Sequence, residues 1–157
     1  MYSVAIITLS NRVTQGVYED KSGLFLKEFL TNNNFLVNHY EVIKDEQKQL
    51  RVCLDNLIDK VDLIITTGGT GLTSQDITVD VVEKYLDYEI RGVSIAMHQL
   101  SLNKAASAMF SRALCGVKNK TMIITLPGSL KAVSEIIEYL QPHLEHGLDH
   151  LNDVSRH

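Results

Sequence analysis

The residues best suited to chemistry lie between positions 61 and 82, where an apolar run, Leu63-Ile64-Ile65, meets three glycines in four residues, Gly68, Gly69 and Gly71. Glycine reaches φ > 0 freely and lets a ligand approach backbone N–H groups closely. A helix start just downstream adds unpaired donors and a partial positive charge. Such a strand, loop and helix make a cradle for a phosphate. Thr67 precedes the glycines and Thr70 lies among them, Asp76 and Thr78 follow, and a further carboxylate, Asp45, comes after another strand-like run. Each feature also has an ordinary reading. Asp76 can be a helix cap, Asp45 a first-turn helix charge, and the glycines a tight turn. The sequence has neither G-x-x-x-x-G-K-[ST] nor G-x-G-x-x-G, so the loop is not of the Walker or dinucleotide kind.

These residues need elements to position them. Residues 4–9 form a continuous apolar run, as in a strand covered on both faces. A polar loop with Gly16 covers 10–20, and Ser22 can cap a helix with apolar Leu24, Phe25, Phe29 and Leu30, which Asn32-Asn33-Asn34 ends. Residues 35–43 read as a second strand, and Asp45 begins a helix with Leu50, Leu54, Leu57 and Ile58 on one face. Residues 61–66 are a third strand, with a helix over about 76–85. The stretch 88–92 is too short to classify, 93–102 looks helical, and 104–116 reads only weakly. Residues 121–126 are a fourth strand, stopped by Pro127-Gly128, and Ser129 opens a long helix that Pro142 bends or splits. The alternation predicts one α/β domain over 1–157, a three-layer α/β/α fold with a mostly parallel central sheet. Ligands of such folds sit at the C-terminal ends of the strands. That rule gathers four loops at one edge: 10–22, 44–45, 66–78 and 127–131.

Composition narrows the partners. The 157 residues fit one domain with a sizeable core, and the net charge of −4 gives no general pull toward nucleic acid or an anionic membrane. Cys53 and Cys115 belong to no CxxC pair and read as reduced thiols. Met1-Tyr2-Ser3 leads straight into an apolar strand, unlike a signal peptide, and no apolar run approaches the roughly 20 residues needed to cross a bilayer. The expectation is a soluble, cytoplasmic protein. His143, His146 and His150 fall on one helical face. A solvated or interface face is the favoured reading there, with metal binding as the alternative.

Five ordered motifs then resemble one family. Thr67-Gly68-Gly69-Thr70-Gly71, with Asp76 and Thr78, is similar to the T-G-G-T-G-x-x-x-R-D-x-T of the molybdopterin adenylyltransferases, the family of molybdenum cofactor synthesis that includes the gephyrin G domain. Ser10-Asn11-Arg12 with Gly16, Asp20, Ser22 and Gly23 resembles its S-D-R…G…D-x-S-G, and Asp45-Glu46 its acidic pair. Ser111-Arg112 with Gly116 resembles L-S-R…G, and Leu126-Pro127-Gly128 with Ala132-Val133 resembles L-P-G…A-V. The sequence departs from the family at three places. Gln75 replaces the usual arginine, Asn11 the usual aspartate, and Ser129-Leu130 the common N-P or Q-P.

The resemblance implies a molybdopterin-binding-domain-like fold and Mg²⁺-dependent transfer of AMP from ATP to the terminal phosphate of molybdopterin, with release of pyrophosphate. It implies that Asp45 and Asp76 are catalytic and hold Mg²⁺. It further implies substrate and nucleotide contacts from Ser10, Arg12, Thr14, Thr67, Gly68, Gly69, Thr70, Gly71, Thr78, Ser111, Arg112, Pro127 and Gly128, in a cytoplasmic homotrimer. A non-catalytic molybdopterin-binding or scaffold protein, and a different phosphate-ester enzyme on the same sheet, stand as alternatives.

Overall fold

A computed structural model describes residues 1–156. Six strands form one sheet: β1 (Ser3–Leu9), β2 (Leu36–Ile43), β3 (Leu63–Thr67), β4 (Tyr88–Glu89), β5 (Cys115–Lys118) and β6 (Thr121–Leu126), in the order β2-β1-β3-β6-β5-β4. Strands β2, β1, β3 and β6 are parallel, while β5 and β4 continue the sheet antiparallel. The helices are α1 (Asn11–Thr14), α2 (Lys21–Asn32), α3 (Gln47–Leu57), α4 (Thr78–Tyr85), α5 (Arg91–Lys104) and α6 (Leu130–Leu151), with a 3₁₀ turn at Ala106–Phe110. Among the described residues, no helix is long and apolar enough to cross a membrane.

The two-residue period of β1 builds both faces of the sheet. Val4 and Ile6 pack with Leu26 and Leu30 of α2 and with Val133, Ile137 and Leu144 of α6; Ala5 and Ile7 pack with Leu50 and Leu54 of α3 and Val82 of α4. The central strands are apolar throughout because helices cover both sides. The three-layer expectation therefore holds.

Several local readings change. Helix α2 is capped by Asp20, whose Oδ1 accepts the Gly23 N–H (3.0 Å). A carboxylate at that position satisfies the first-turn donors. Ser22 lies inside the helix, and its hydroxyl donates to the Gly128 carbonyl (2.8 Å). The buried stripe accordingly runs through Leu26 and Leu30, with Leu24 turned outward. Helix α3 begins at Gln47, because Asp45 is held by Asn11 before the helix starts. Helix α4 begins at Thr78, since Asp76 is drawn into a turn with Thr73. The weakly read stretch contains the 3₁₀ turn and the first two residues of β5, whose edges are set by pairing with β6. Helix α6 runs unbroken through Pro142, which is exposed, while Leu140 and Leu144 anchor the core side.

The chain leaves β1 for β2 on one side and returns to β3 on the other. This reversal opens a crevice at the strand ends. The register levels those ends, pairing Leu9 with Ile43, Thr8 with Thr67, and Thr67 with Leu126. The segments after β1, β2, β3 and β6 consequently emerge side by side.

Candidate functional site

The glycine loop is shaped by steric demand. Gly68 and Gly69 have φ of +97° and +71°, a region L-side chains rarely adopt. A Cβ on Gly68 would lie 2.4 Å from the Leu9 carbonyl oxygen, and one on Gly69 would lie 2.2 Å from Thr78 Oγ1. The Thr78 hydroxyl donates to the Gly68 carbonyl (2.8 Å), and its N–H to the Gly69 carbonyl (3.1 Å). Arg112 holds the other end. Its N–H donates to the Thr70 carbonyl (2.8 Å), and its guanidinium to the carbonyls of Gly71 (3.0 Å) and Asp76 (2.9 Å) and to the Asp80 carboxylate (2.8 Å). The four carbonyls from Gly68 to Gly71 thus all accept bonds from within the protein. The Gly68 N–H donates to the Leu126 carbonyl (3.0 Å), and the N–H groups of Gly69, Thr70 and Gly71 are left as the side that can meet an anion.

Thr67, Thr78 and Arg112, expected as substrate contacts, turn their polar groups inward here. Thr67 is buried and donates to the Pro127 carbonyl (2.7 Å). Arg112→Met should leave two loop carbonyls and Asp80 without their donor. For a half-exposed clamp the expected loss is about 1–3 kcal/mol, read by chemical denaturation, with faster amide exchange confined to residues 70–76.

Two carboxylates stand at the same edge. Asp45 Oδ2 accepts the Asn11 N–H (3.1 Å), and the Asp45 N–H donates to Asn11 Oδ1 (3.0 Å). An aspartate at 11 would bring a second negative charge onto Asp45, whereas asparagine supplies the same acceptor without one. Asp76 Oδ2 accepts from the Thr73 N–H (3.0 Å) and hydroxyl (2.9 Å). Burial raises the Asp45 pKa above the ordinary carboxylate range; the Asn11 N–H opposes this, and the charge of Asp76 adds to it. The two carboxylates therefore feel each other. Among the described residues, no group of three or more His, Cys, Asp or Glu side chains is arranged to hold a metal. His146 and His150 lie with ring centroids 4.1 Å apart and planes tilted by 53° on the exposed face of α6. Burial pushes the Cys53 and Cys115 thiols up to about 12, so neither supplies a thiolate at neutral pH.

The raised Asp45 pKa has a defined sign. Its stabilising contribution is present below the unfolded value of 3.8 and is lost as pH rises through the higher folded value. At neutral pH the ionised Asp45 is a net cost to the fold. Asp45→Asn should therefore raise Tm at neutral pH by about 1–2 °C and show no gain at pH below 3.8, as measured by scanning calorimetry across pH.

Two hollows flank the glycine loop. One, of about 330 Å³, lies over the β1 and β3 ends and is lined by Thr8, Ser10, Asp20, Thr67, Gly68 and Gly128, among others. The second, of about 340 Å³, lies on the far side and is lined by Thr70, Gly71, Lys104, Ser111, Pro127 and Lys131, among others. A larger groove, about 520 Å³, sits between α4 and α5 and meets this region through Arg112 to Leu114. The smaller pair adjoin the strand ends and the loop donors.

Ser10 caps α1 by accepting the Val13 N–H (3.2 Å) and borders the first hollow. Arg12 packs over the Tyr18 ring (5.4 Å) and the Thr14 hydroxyl donates to the Asn11 carbonyl (2.8 Å), both on the exposed outer side of that turn. Sequence reasoning left Asp20, Thr73, Lys104 and Lys131 out of the site. Asp20 carried a signal in its D-x-S-G setting, and in the structure it also accepts the Tyr40 hydroxyl. Thr73 and the lysines carried none, because a loop threonine and helix-end lysines look like ordinary surface.

A family model described as a probable molybdopterin binding domain matches residues 5–146. The chain belongs to that family. It is 34% identical over 152 residues to a molybdopterin adenylyltransferase of Helicobacter pylori, covering 93% of this chain and 85% of that protein. It is 33% identical over 141 residues to the molybdopterin adenylyltransferase of Escherichia coli K12, covering 86% of this chain and 71% of that one. It also matches a Dictyostelium discoideum gephyrin at 33% over 164 residues, spanning 98% of this chain but 23% of gephyrin. Among solved structures, the molybdopterin biosynthesis enzyme MoaB of Thermus thermophilus superposes with a TM-score of 0.89 at 35% identity, covering 96% of each chain. The Mog protein of Mycobacterium ulcerans gives 0.89 at 34% identity, covering 96% of this chain and 99% of that one.

Proposed function

We propose that the protein is a molybdopterin adenylyltransferase, transferring AMP from ATP to the terminal phosphate of molybdopterin. The observation that carries this reading is the position of the glycine loop between two hollows of similar size. An oxygen of the molybdopterin phosphate attacks the α-phosphorus of ATP. The bond from that phosphorus to the β-phosphate oxygen breaks, and pyrophosphate leaves with the electron pair. The protein forms no covalent bond in this scheme. Its residues hold two polyanions in line and offset their charge.

Asp45 and Asp76 suit Mg²⁺, which is bound through one or two carboxylates and completed by substrate phosphates and water. Their mutual repulsion, felt in the raised Asp45 pKa, is what a divalent cation relieves. When bound, the ion would neutralise charge on the phosphates. Asn11 and Thr73 hold one oxygen of each carboxylate. A homotrimer and a cytoplasmic location accompany this reading, and the exposed Ile95, Leu102, Met109 and Phe110 offer an apolar surface for association. Light scattering tests the trimer.

Purified protein incubated with Mg–ATP and molybdopterin should yield adenylylated molybdopterin and pyrophosphate. Folded protein that forms neither would overturn the reading. The neutral Gln75 and the inward-facing Arg112 favour one other possibility, a non-catalytic molybdopterin-binding or scaffold protein. Binding without turnover in the wild type, with activity appearing in Gln75→Arg, would establish that alternative.

A further inference from the structure

Helix α6 carries an exposed pair of imidazoles far from the crevice. His146 and His150 stand at i and i+4, where side chains on a helix become neighbours. Their ring centroids are 4.1 Å apart, with the planes tilted by 53°. On the opposite face of the same turns Leu144 and Leu148 are buried in the core, so the backbone beneath the pair is fixed. His143, the third histidine of this face, does not join them. Its ring meets Tyr139 edge-on at 6.5 Å, one turn back toward the helix start. Spacing alone groups three histidines; the packing leaves two.

Two nitrogens bound to one tetrahedral ion at about 2.0–2.1 Å stand roughly 3.4 Å apart. The close approach of the two rings puts that arrangement within a small side-chain rotation. Among the described residues neither ring lies within 4.0 Å of a carboxylate oxygen, so no acid engages these nitrogens. The surrounding charge suits a cation. Glu145, Asp149 and Asp153 are three carboxylates paired with only two cations, Arg156 and Lys120, and the C-terminal end of α6 adds its partial negative charge. Imidazole suits Zn²⁺ or Ni²⁺, whereas Mg²⁺ prefers oxygen donors.

We propose that His146 and His150 chelate one divalent transition-metal ion of the zinc or nickel class. The pair supplies two ligands, which leaves the other positions to water or to a donor brought by another molecule. The ion would lie roughly 25–30 Å along α6 from the crevice where that helix starts. It is therefore separate from Asp45 and Asp76, and it does not depend on the proposed function.

Calorimetric titration of the full-length protein, without an affinity tag, with Zn²⁺ tests the site. One ion should bind per chain at this pair with a Kd below about 100 μM. His146→Gln and His150→Gln should each weaken that binding about tenfold or more, and His143→Gln should change it less than about twofold. Paramagnetic Ni²⁺ should broaden the NMR ring signals of His146 and His150 and leave those of His98 sharp; Mg²⁺ should do neither. The three substituted side chains are exposed, so the variants should fold, as thermal melts would verify. A Kd above about 100 μM, an affinity unchanged in the His146→Gln/His150→Gln double variant, or an equal loss in His143→Gln overturns the proposal. Broadening centred on other histidines overturns it as well.

Discussion

Asp76→Asn is expected to lower adenylyl transfer by about 10²–10³-fold while the protein stays folded. The Asp76 carboxylate is fixed by the Thr73 N–H and hydroxyl at 3.0 and 2.9 Å. An asparagine can keep one oxygen on those donors, so the turn survives and only the charge is lost. The charge is what matters to a cation or a developing transition state between two phosphates. Asp76→Ala should abolish transfer as well, but it also removes the brace. A consequence independent of catalysis follows at Asp45. Its pKa is raised partly by the charge of Asp76, so Asp76→Asn should lower it, as read by NMR titration of the Asp45 carboxyl. Activity near wild type in a folded Asp76→Asn would take Asp76 out of the chemistry. An unmoved Asp45 pKa would separate the two carboxylates.

The second large effect belongs to Gly68→Ala. At φ +97° the added Cβ would meet the Leu9 carbonyl oxygen at 2.4 Å. That oxygen belongs to a central strand buried between two helical layers and cannot yield as a flexible side chain would. Strain at the positive φ and the overlap together should cost about 2–4 kcal/mol, lowering Tm by about 5–15 °C. Transfer should fall with stability, because Gly68 also lies against Gly128, where a Cβ would be 3.5 Å from the Gly68 Cα. Gly92 is the control. It lies in α5, and a Cβ added there would find no atom within 4 Å, so Gly92→Ala should be neutral or stabilising by up to about 1 kcal/mol. A Gly68→Ala variant as stable and active as Gly92→Ala would show that the loop does not need its strained backbone.

The loop and its strand were legible because their signals are local. Leu63-Ile64-Ile65 marks burial on both faces, and three close glycines mark a backbone that other residues cannot follow. Helix starts were less legible. Asp76 reads as a cap from its type, yet the Thr73 turn claims it and α4 waits until Thr78. Ser22 reads as the cap of α2, but Asp20, two residues earlier, is the stronger competitor for the Gly23 N–H. That shift moved the buried face from Leu24 to Leu26. The short β4 and β5 were invisible, since two and four residues carry too little pattern apart from the β6 partner that pairs them.

The side chains around the loop divide the same way. From Arg112 the sequence gives a cation in a family motif; only the packed loop reveals that its donors face the carbonyls of Gly71 and Asp76. Lys104 and Lys131 are 27 positions apart in the numbering and belong to different helices. No spacing rule joins them, and their common hollow exists only once α5 and α6 are packed beside the sheet. By itself, then, the sequence determined the fold class, the family and the glycine-bearing strand, because hydrophobic period and backbone tolerance act over a few residues. The tertiary structure decided which polar groups brace the loop and which remain free to meet a ligand, because hydrogen bonds and charges pair by distance in space.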